Sequence, residues 1–245
     1  MYGQYQMLKI KKILLSTLLL IGLGGCGGGG SSTPSADPQG YWIGKASTGY
    51  TVNAAILENG EAWGIYTSGS TIYGALYGMA SANGNTVSIS GTDFNFLTNS
   101  TSQGNLSGPI VAKSSLSLSG TASVPLAYQP YYDTPATAAS VTGTWSFTGR
   151  SGSYTLIPGT ITVDSAGRFT LNQTNCVTSG SIVPRPNGKN VYNVTLNAVG
   201  IGCAVGQSSM SGVALLDTTV TPNKFLSLAL TSSKNDGVIV IGTKR

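Results

Sequence analysis

The chain of 245 residues carries 13 Lys and Arg against 8 Asp and Glu, with 3 Cys, 34 Gly and no His. Without imidazole, neither a Ser-His-Asp nor a Cys-His site can be built within the chain, and two isolated cysteines lack the further ligands that zinc requires. Three of the lysines precede residue 26, so ten bases against eight acids leave +2 for the remainder; these bases are scattered, and no nucleic-acid partner is expected because such binding needs a patch.

In chain order, Lys9, Lys11 and Lys12 come first, then the apolar run ILLSTLLLIGLGG, then Cys26. A basic start, an apolar stretch and small residues at Gly24 and Gly25 read as a secretory signal peptide over residues 1–25 that ends in a lipobox. The apolar run falls short of the ~20 residues that a membrane-spanning helix needs. The segment resembles that of bacterial lipoproteins, which implies a diacylglycerol on the Cys26 thiol and a further acyl chain, such as palmitate, on its amine. By the same resemblance Gly27, in place of an inner-membrane retention Asp, implies the outer membrane. Acyl chains contribute about 0.8 kcal/mol per buried CH₂, so the anchor would be effectively permanent. Residues 26–39, rich in Gly, Ser and Pro, read as a flexible tether.

From residue 40 onward, short alternating runs of Val, Ile, Thr, Ser and Tyr separated by Gly, Asn and Asp predict an all-β protein. Two segments open alike, GYWIGKAS at 40 and GTWSFTG at 143, and divide the chain into two tandem antiparallel β domains, 40–127 and 143–245, joined by a linker over 128–142. Within that linker PATAASV could make one helical turn.

The first domain contains AAILENGEAWGIY, where Asn59-Gly60 between apolar runs predicts a two-residue hairpin loop. That loop places Glu58 opposite Glu61, Ile56 opposite Trp63 and Ala54 opposite Ile65. Like charges facing one another are tolerable only in water, so the two glutamates are expected at an exposed tip rather than in a glycosidase-like pair. Ser–Lys combinations at Lys45/Ser47 and Lys113/Ser115 offer no buried, activated hydroxyl. The domain is dense in aromatic residues, and TIYGALYG alternates Ile72, Gly74, Leu76 and Gly78 with Tyr73, Ala75 and Tyr77 on opposite faces. Tyr66, Tyr73 and Tyr77 are the candidate binding surface.

In the second domain eight strands follow in series, GTWSFT, YTLIPGTITV, RFTLNQ, SGSIVPR, NVYNVTLNAV, SMSGVALLD, KFLSLALT and GVIVIGT. Turn residues in DSAG, PNGKN and KNDG predict an up-and-down barrel of approximately eight strands. Its Gly-x-Trp start resembles lipocalin-like barrels. The inward residues allow either a filled core or a ligand cavity, with Trp145 as a plug at the base. Lys244-Arg245 read as a frayed end. Cys176 and Cys203 form an even pair in an exported chain and are expected to be bonded, closing a loop that contributes roughly 3.5 kcal/mol.

The runs SGSIVPRPNGKNVYNVTLNAVGIGC, SGVALLD, FLSLALTSSKNDGVIVIGTK, LENGEAWGIY and YYDTPATAASVTGTW resemble a family of uncharacterised two-domain, β-rich outer-membrane lipoproteins of Gram-negative bacteria. That resemblance implies the two-domain layout and the Cys176–Cys203 pair, and it brings no activity. Surface receptor lipoproteins resemble the chain in architecture only. The expected function is non-enzymatic: a lipid-anchored outer-membrane protein facing the periplasm or the cell surface, with a structural role or binding a protein or glycan. The alternative is a barrel carrying an apolar ligand or inhibiting an attacking enzyme such as lysozyme. No cofactor or metal is expected, and the membrane, reached through Cys26, is the one partner implied directly.

Overall fold

In the computed structural model, the residues described are 34–245 apart from 153 and 157; the signal peptide, Cys26 and the first part of the tether lie outside them. The protein is all-β. Strands β1 (Gly40–Lys45), β2 (Thr51–Ile56), β3 (Glu61–Ser68), β4 (Thr71–Asn83), β5 (Thr86–Asn95), β6 (Ser100–Val111), β7 (Ser115–Ser119) and β8 (Ser123–Tyr128) form a closed antiparallel barrel, each paired with its sequence neighbour and β8 with β1.

A 3₁₀ turn (Pro130–Asp133) and a one-turn helix α1 (Ala138–Val141), capped by the Thr137 side chain, follow. Then come β9 (Gly143–Ser151), β10 (Tyr154–Thr155), β11 (Gly159–Val163), β12 (Arg168–Gln173), β13 (Cys176–Pro184), β14 (Tyr192–Val199), β15 (Ser208–Asp217), β16 (Lys224–Thr231) and β17 (Gly237–Lys244). Apart from the two-residue β10, these are the eight strands legible in the sequence, in meander order, with β17 returning to β9.

The second sheet curls without completing a ladder. β11 pairs with β9, while β11 and β12 share only their hairpin turn, where Asp164 and Arg168 bond. Complete closure belongs to the first barrel, where β1 meets β8 over Trp42–Gly44.

The two Gly-x-Trp starts have one structural meaning. Trp42 and Trp145 are both fully buried. Each indole N–H donates to a carbonyl four residues back, Pro38 at 3.2 Å and Val141 at 2.7 Å, and each ring meets an aromatic edge, Tyr128 at 5.2 Å and Phe225 at 5.0 Å. Trp145 thus sits in the core enclosed by the second sheet, and Trp42 in that of the first barrel.

Strand register assigns the faces. In the first barrel three inward rows run Trp42–Ala54–Gly64–Leu76–Asp93–Ser102, Gly44–Val52–Tyr66–Gly74–Asn95–Ser100 and Gly40–Ile56–Ala62–Gly78–Gly91–Gly104. The outward set, including Ala55, Trp63, Ile65, Ala75 and Phe94, is nonetheless buried. It belongs to one hydrophobic cluster with Val213, Leu215, Leu228, Leu230 and Ile239, which form one face of β15–β17. The other face of the second sheet encloses a separate core around Trp145, Phe147, Tyr192, Leu216 and Phe225.

The chain end is ordered rather than frayed. Arg245 N–H donates to the Thr144 carbonyl and its Nε to Ser146 Oγ, while Lys244 Nζ donates to the Ser140 carbonyl and lies 5.5 Å from the Trp145 ring centre. Cys176 and Cys203 are bonded, with Cα atoms 4.9 Å apart, inside the range a disulfide requires.

Candidate ligand cavity of the first barrel

The Glu58–Glu61 hairpin differs from expectation by one residue. Ile56 pairs with Ala62 and Ala55 with Trp63, the Leu57 N–H donates to the Glu61 carbonyl and the Gly60 N–H donates to the Leu57 carbonyl. The loop therefore has three residues, Glu58–Gly60, with Gly60 at φ +83°, the left-handed position that ends such a turn. Asn-Gly signals a turn but does not fix its length. Here the longer loop lets Ile56 and Ala62 face inward together, while Trp63 joins the outward apolar face.

The two carboxylates consequently have separate partners. Glu58 accepts from Arg185 Nε at 2.7 Å and from Asn187 Nδ2 at 2.8 Å. Burial pushes its pKa up, but the hydrogen bonds from Asn187 and Arg185 and the charge of Arg185 outweigh that and hold it below the usual range. Glu61 accepts from the Trp63 indole at 3.2 Å.

The candidate tyrosines are divided by the barrel wall. Tyr77 faces outward, its ring centre 4.6 Å from that of Trp63, with Lys234 Nζ 4.9 Å from the Tyr77 ring centre. Tyr66 faces inward. Tyr73 lies at the irregularity where Tyr66 pairs with Gly74 and Thr67 with Ile72. Tyr50, outside the three tyrosines singled out from sequence, joins the last two, with ring centres 5.7 Å from Tyr66 and 4.7 Å from Tyr73.

These three rings border a cavity of about 390 Å³ within the first barrel. Its volume follows from the inward row that ends Ala62–Gly78–Gly91–Gly104, where four consecutive strands contribute a methyl group or nothing. Gly78 and Gly91 also let the backbones come together as the sheet bends: a Cβ on Gly78 would lie 2.3 Å from the Ser90 carbonyl oxygen, and one on Gly91 2.3 Å from that of Tyr77. A Cβ on Gly104, by contrast, would meet nothing within 4 Å. Val52, Leu76, Ile89, Leu106, Leu118 and Leu126 supply the apolar wall.

Access follows from strand lengths. β7 has five residues against twelve in β6, and the β6–β7 register begins only at Ser107. The first half of β6 therefore lacks a strand on that side, and residues 100–105 are exposed. The opposite end is occupied by Trp42, Tyr128 and Tyr132.

One charged residue, Asp93, lines the cavity. Tyr66 Oη donates to its Oδ1 at 2.9 Å. Burial raises the Asp93 pKa against the opposing effect of that hydrogen bond. Burial also raises the pKa of Tyr66, and the Asp93 charge adds to this. Sequence reading did not single out Asp93. Its signal was the alternation Val87, Ile89, Gly91, Asp93, an inward series whose fourth member is a carboxylate.

Two other spaces occur among the described residues, and one of them, about 570 Å³ over β12–β15 between Arg168, Thr170, Ser181, Thr195 and Asn197, is an open groove on the sheet surface rather than an enclosed cavity. The curled second sheet encloses about 110 Å³ of mostly apolar space beside the disulfide. No group of three His, Cys, Asp or Glu side chains stands ready for a metal among the described residues.

No family model and no curated protein matches the chain. Among solved structures it is similar to a candidate outer membrane protein from Bacteroides fragilis, at 12% identity, with 87% of this chain and 98% of that one covered and a TM-score of 0.24. A likeness at that level carries no conclusion about either fold or function.

Proposed function

We propose that the protein is a non-enzymatic lipoprotein of the bacterial outer membrane whose first barrel takes up a small, largely apolar ligand. The cavity of about 390 Å³ carries this reading, because most of its lining is apolar while a few polar groups gather at its mouth. The carrier reading is preferred to a protein- or glycan-binding surface for a specific reason. The tyrosines that would have formed such a surface are split, with Tyr66 beside the cavity and Tyr77 on the outer wall. Export and anchoring rest on the signal peptide and Cys26, and a bonded Cys176–Cys203 pair suits an oxidising compartment.

Two experiments test the proposal. Cys26→Ser should release the protein from the membrane fraction or leave its precursor uncut, and unchanged membrane fractionation of that variant defeats the anchoring claim. For the cavity, the Cys26→Ser chain should bind the neutral fluorophore N-phenyl-1-naphthylamine. Gly104→Leu, which adds a side chain where space is open, should weaken binding at least tenfold with the circular dichroism spectrum unchanged. Absent binding, or binding indifferent to Gly104→Leu, rules the cavity out as a ligand site.

A further inference from the structure

We infer that the ligand carries a cationic ammonium head, with Asp93 as its counter-ion at the cavity mouth and its apolar body inside the barrel. The inference rests on the carrier reading above and adds the charge of the ligand.

Three observations support it. First, Asp93 is the one formally charged side chain among the residues lining the cavity. Its inward position is fixed by register, with Leu76 on one side and Ser102 on the other. Second, its charge is poorly compensated. Among the described residues the Tyr66 hydroxyl is its one side-chain donor, and no salt bridge to a lysine or arginine forms; Tyr66 shares its proton with the Phe94 carbonyl at 3.4 Å. A carboxylate drawn partly out of water is costly without a cation beside it, and an arriving ammonium supplies one. Third, the Tyr50, Tyr66 and Tyr73 rings cluster on the same rim, and aromatic faces attract a cation, most strongly where it is partly desolvated. An anionic head would meet the same carboxylate without any fixed positive charge to offset it.

The discriminating experiment holds the tail constant and varies the head. Octyltrimethylammonium, octanol and octyl sulfate, each below its micellar concentration, are titrated into the Cys26→Ser chain by calorimetry. Octyltrimethylammonium should bind about tenfold more tightly than octanol, and octyl sulfate more weakly than both. The advantage of the cation should shrink in 1 M salt, a test that needs no variant. Asp93→Asn should bring octyltrimethylammonium down to the octanol level. Equal affinity for octyltrimethylammonium and octanol in the unaltered cavity overturns the inference and leaves the apolar carrier standing. A cation preference that survives Asp93→Asn also overturns it. If none of the three binds, the carrier reading falls and this inference with it.

Discussion

Asp133 shows how single charges tie the connector to the first barrel and to the second sheet. Its Oδ1 accepts from Lys189 Nζ at 2.7 Å and its Oδ2 from Lys113 Nζ at 2.9 Å, one lysine from each side of the connector. The hydrogen bond from Lys189 does most to lower its pKa from 3.8 to about 2, burial opposes this, and Lys113 adds to the lowering. A carboxylate with a depressed folded-state pKa stabilises the fold above its unfolded value, and that contribution disappears as pH falls through the folded value. The window here runs from about pH 4 down to about pH 2. Because the side chain is 33% exposed, solvent screening reduces the contribution to about 1 kcal/mol. Urea unfolding of the native chain and of Asp133→Asn should therefore differ by about 1 kcal/mol at pH 6 and converge near pH 2. A difference that persists at pH 2 would show that the asparagine acts through something other than lost charge. Glu58→Gln should cost less than about 1 kcal/mol, since its carboxylate is 38% exposed and Asn187 can still donate to the amide oxygen.

At the scale of strands, two inward glycines give opposite predictions. Gly91→Ala places a methyl group 2.3 Å from the Tyr77 carbonyl oxygen, and because backbone must yield, a loss of about 1–3 kcal/mol is expected. Gly104→Ala, directly opposite Gly91 on the neighbouring strand in the same inward row, meets nothing and should stay within about 0.5 kcal/mol. Thermal melts of the pair check both, and equal destabilisation would mean that the bend at Gly91 relaxes. Neither distinction is legible from sequence, where both residues are glycines among Ser, Thr and Asn. What is legible is alternation: the eight long strands of the second half stand out because apolar residues recur at every second position, as in RFTLNQ and NVYNVTLNAV. β6 hides the closure of the first barrel because STSQGNL is polar on both faces, as a strand beside an open mouth can be. The hairpin at Asn59-Gly60 was recognisable, but its length depended on packing beyond the loop. Asp93 showed an inward period; the cavity around it depended on small residues from four strands that no local window contains.

At the scale of the molecule, the first barrel and the second sheet share a core that their separate sequences conceal. The second sheet is apolar on both faces over β15–β17: Leu216, Phe225 and Ala229 face its own interior, while Val213, Leu215, Leu228, Leu230 and Ile239 join the outward residues of the first barrel. Each of those last five is at most 6% exposed. Polar contacts rim this seam. Arg150 donates to the carbonyls of Ile72 and Phe96, and Asn190 Nδ2 donates to the carbonyls of Tyr131 and Leu216, the latter at 2.6 Å. Burying a large aliphatic side chain contributes about 1.5–3 kcal/mol, so four such Leu and Ile residues represent a stabilisation comparable to the whole net stability of a domain. Residues 143–245 expressed alone would present that face to water as a contiguous apolar patch, a surface that favours self-association. The isolated segment should therefore form oligomers or bind a hydrophobic dye, whereas the longer chain should unfold in one cooperative transition seen alike by tyrosine and tryptophan fluorescence and by circular dichroism. Leu228→Asp in the longer chain should destabilise the first barrel and the second sheet together, because a charge at that position has no partner and no water. A monomeric, dye-silent segment 143–245 with a sharp melt of its own would show instead that the second sheet folds independently and that the seam only docks two finished domains.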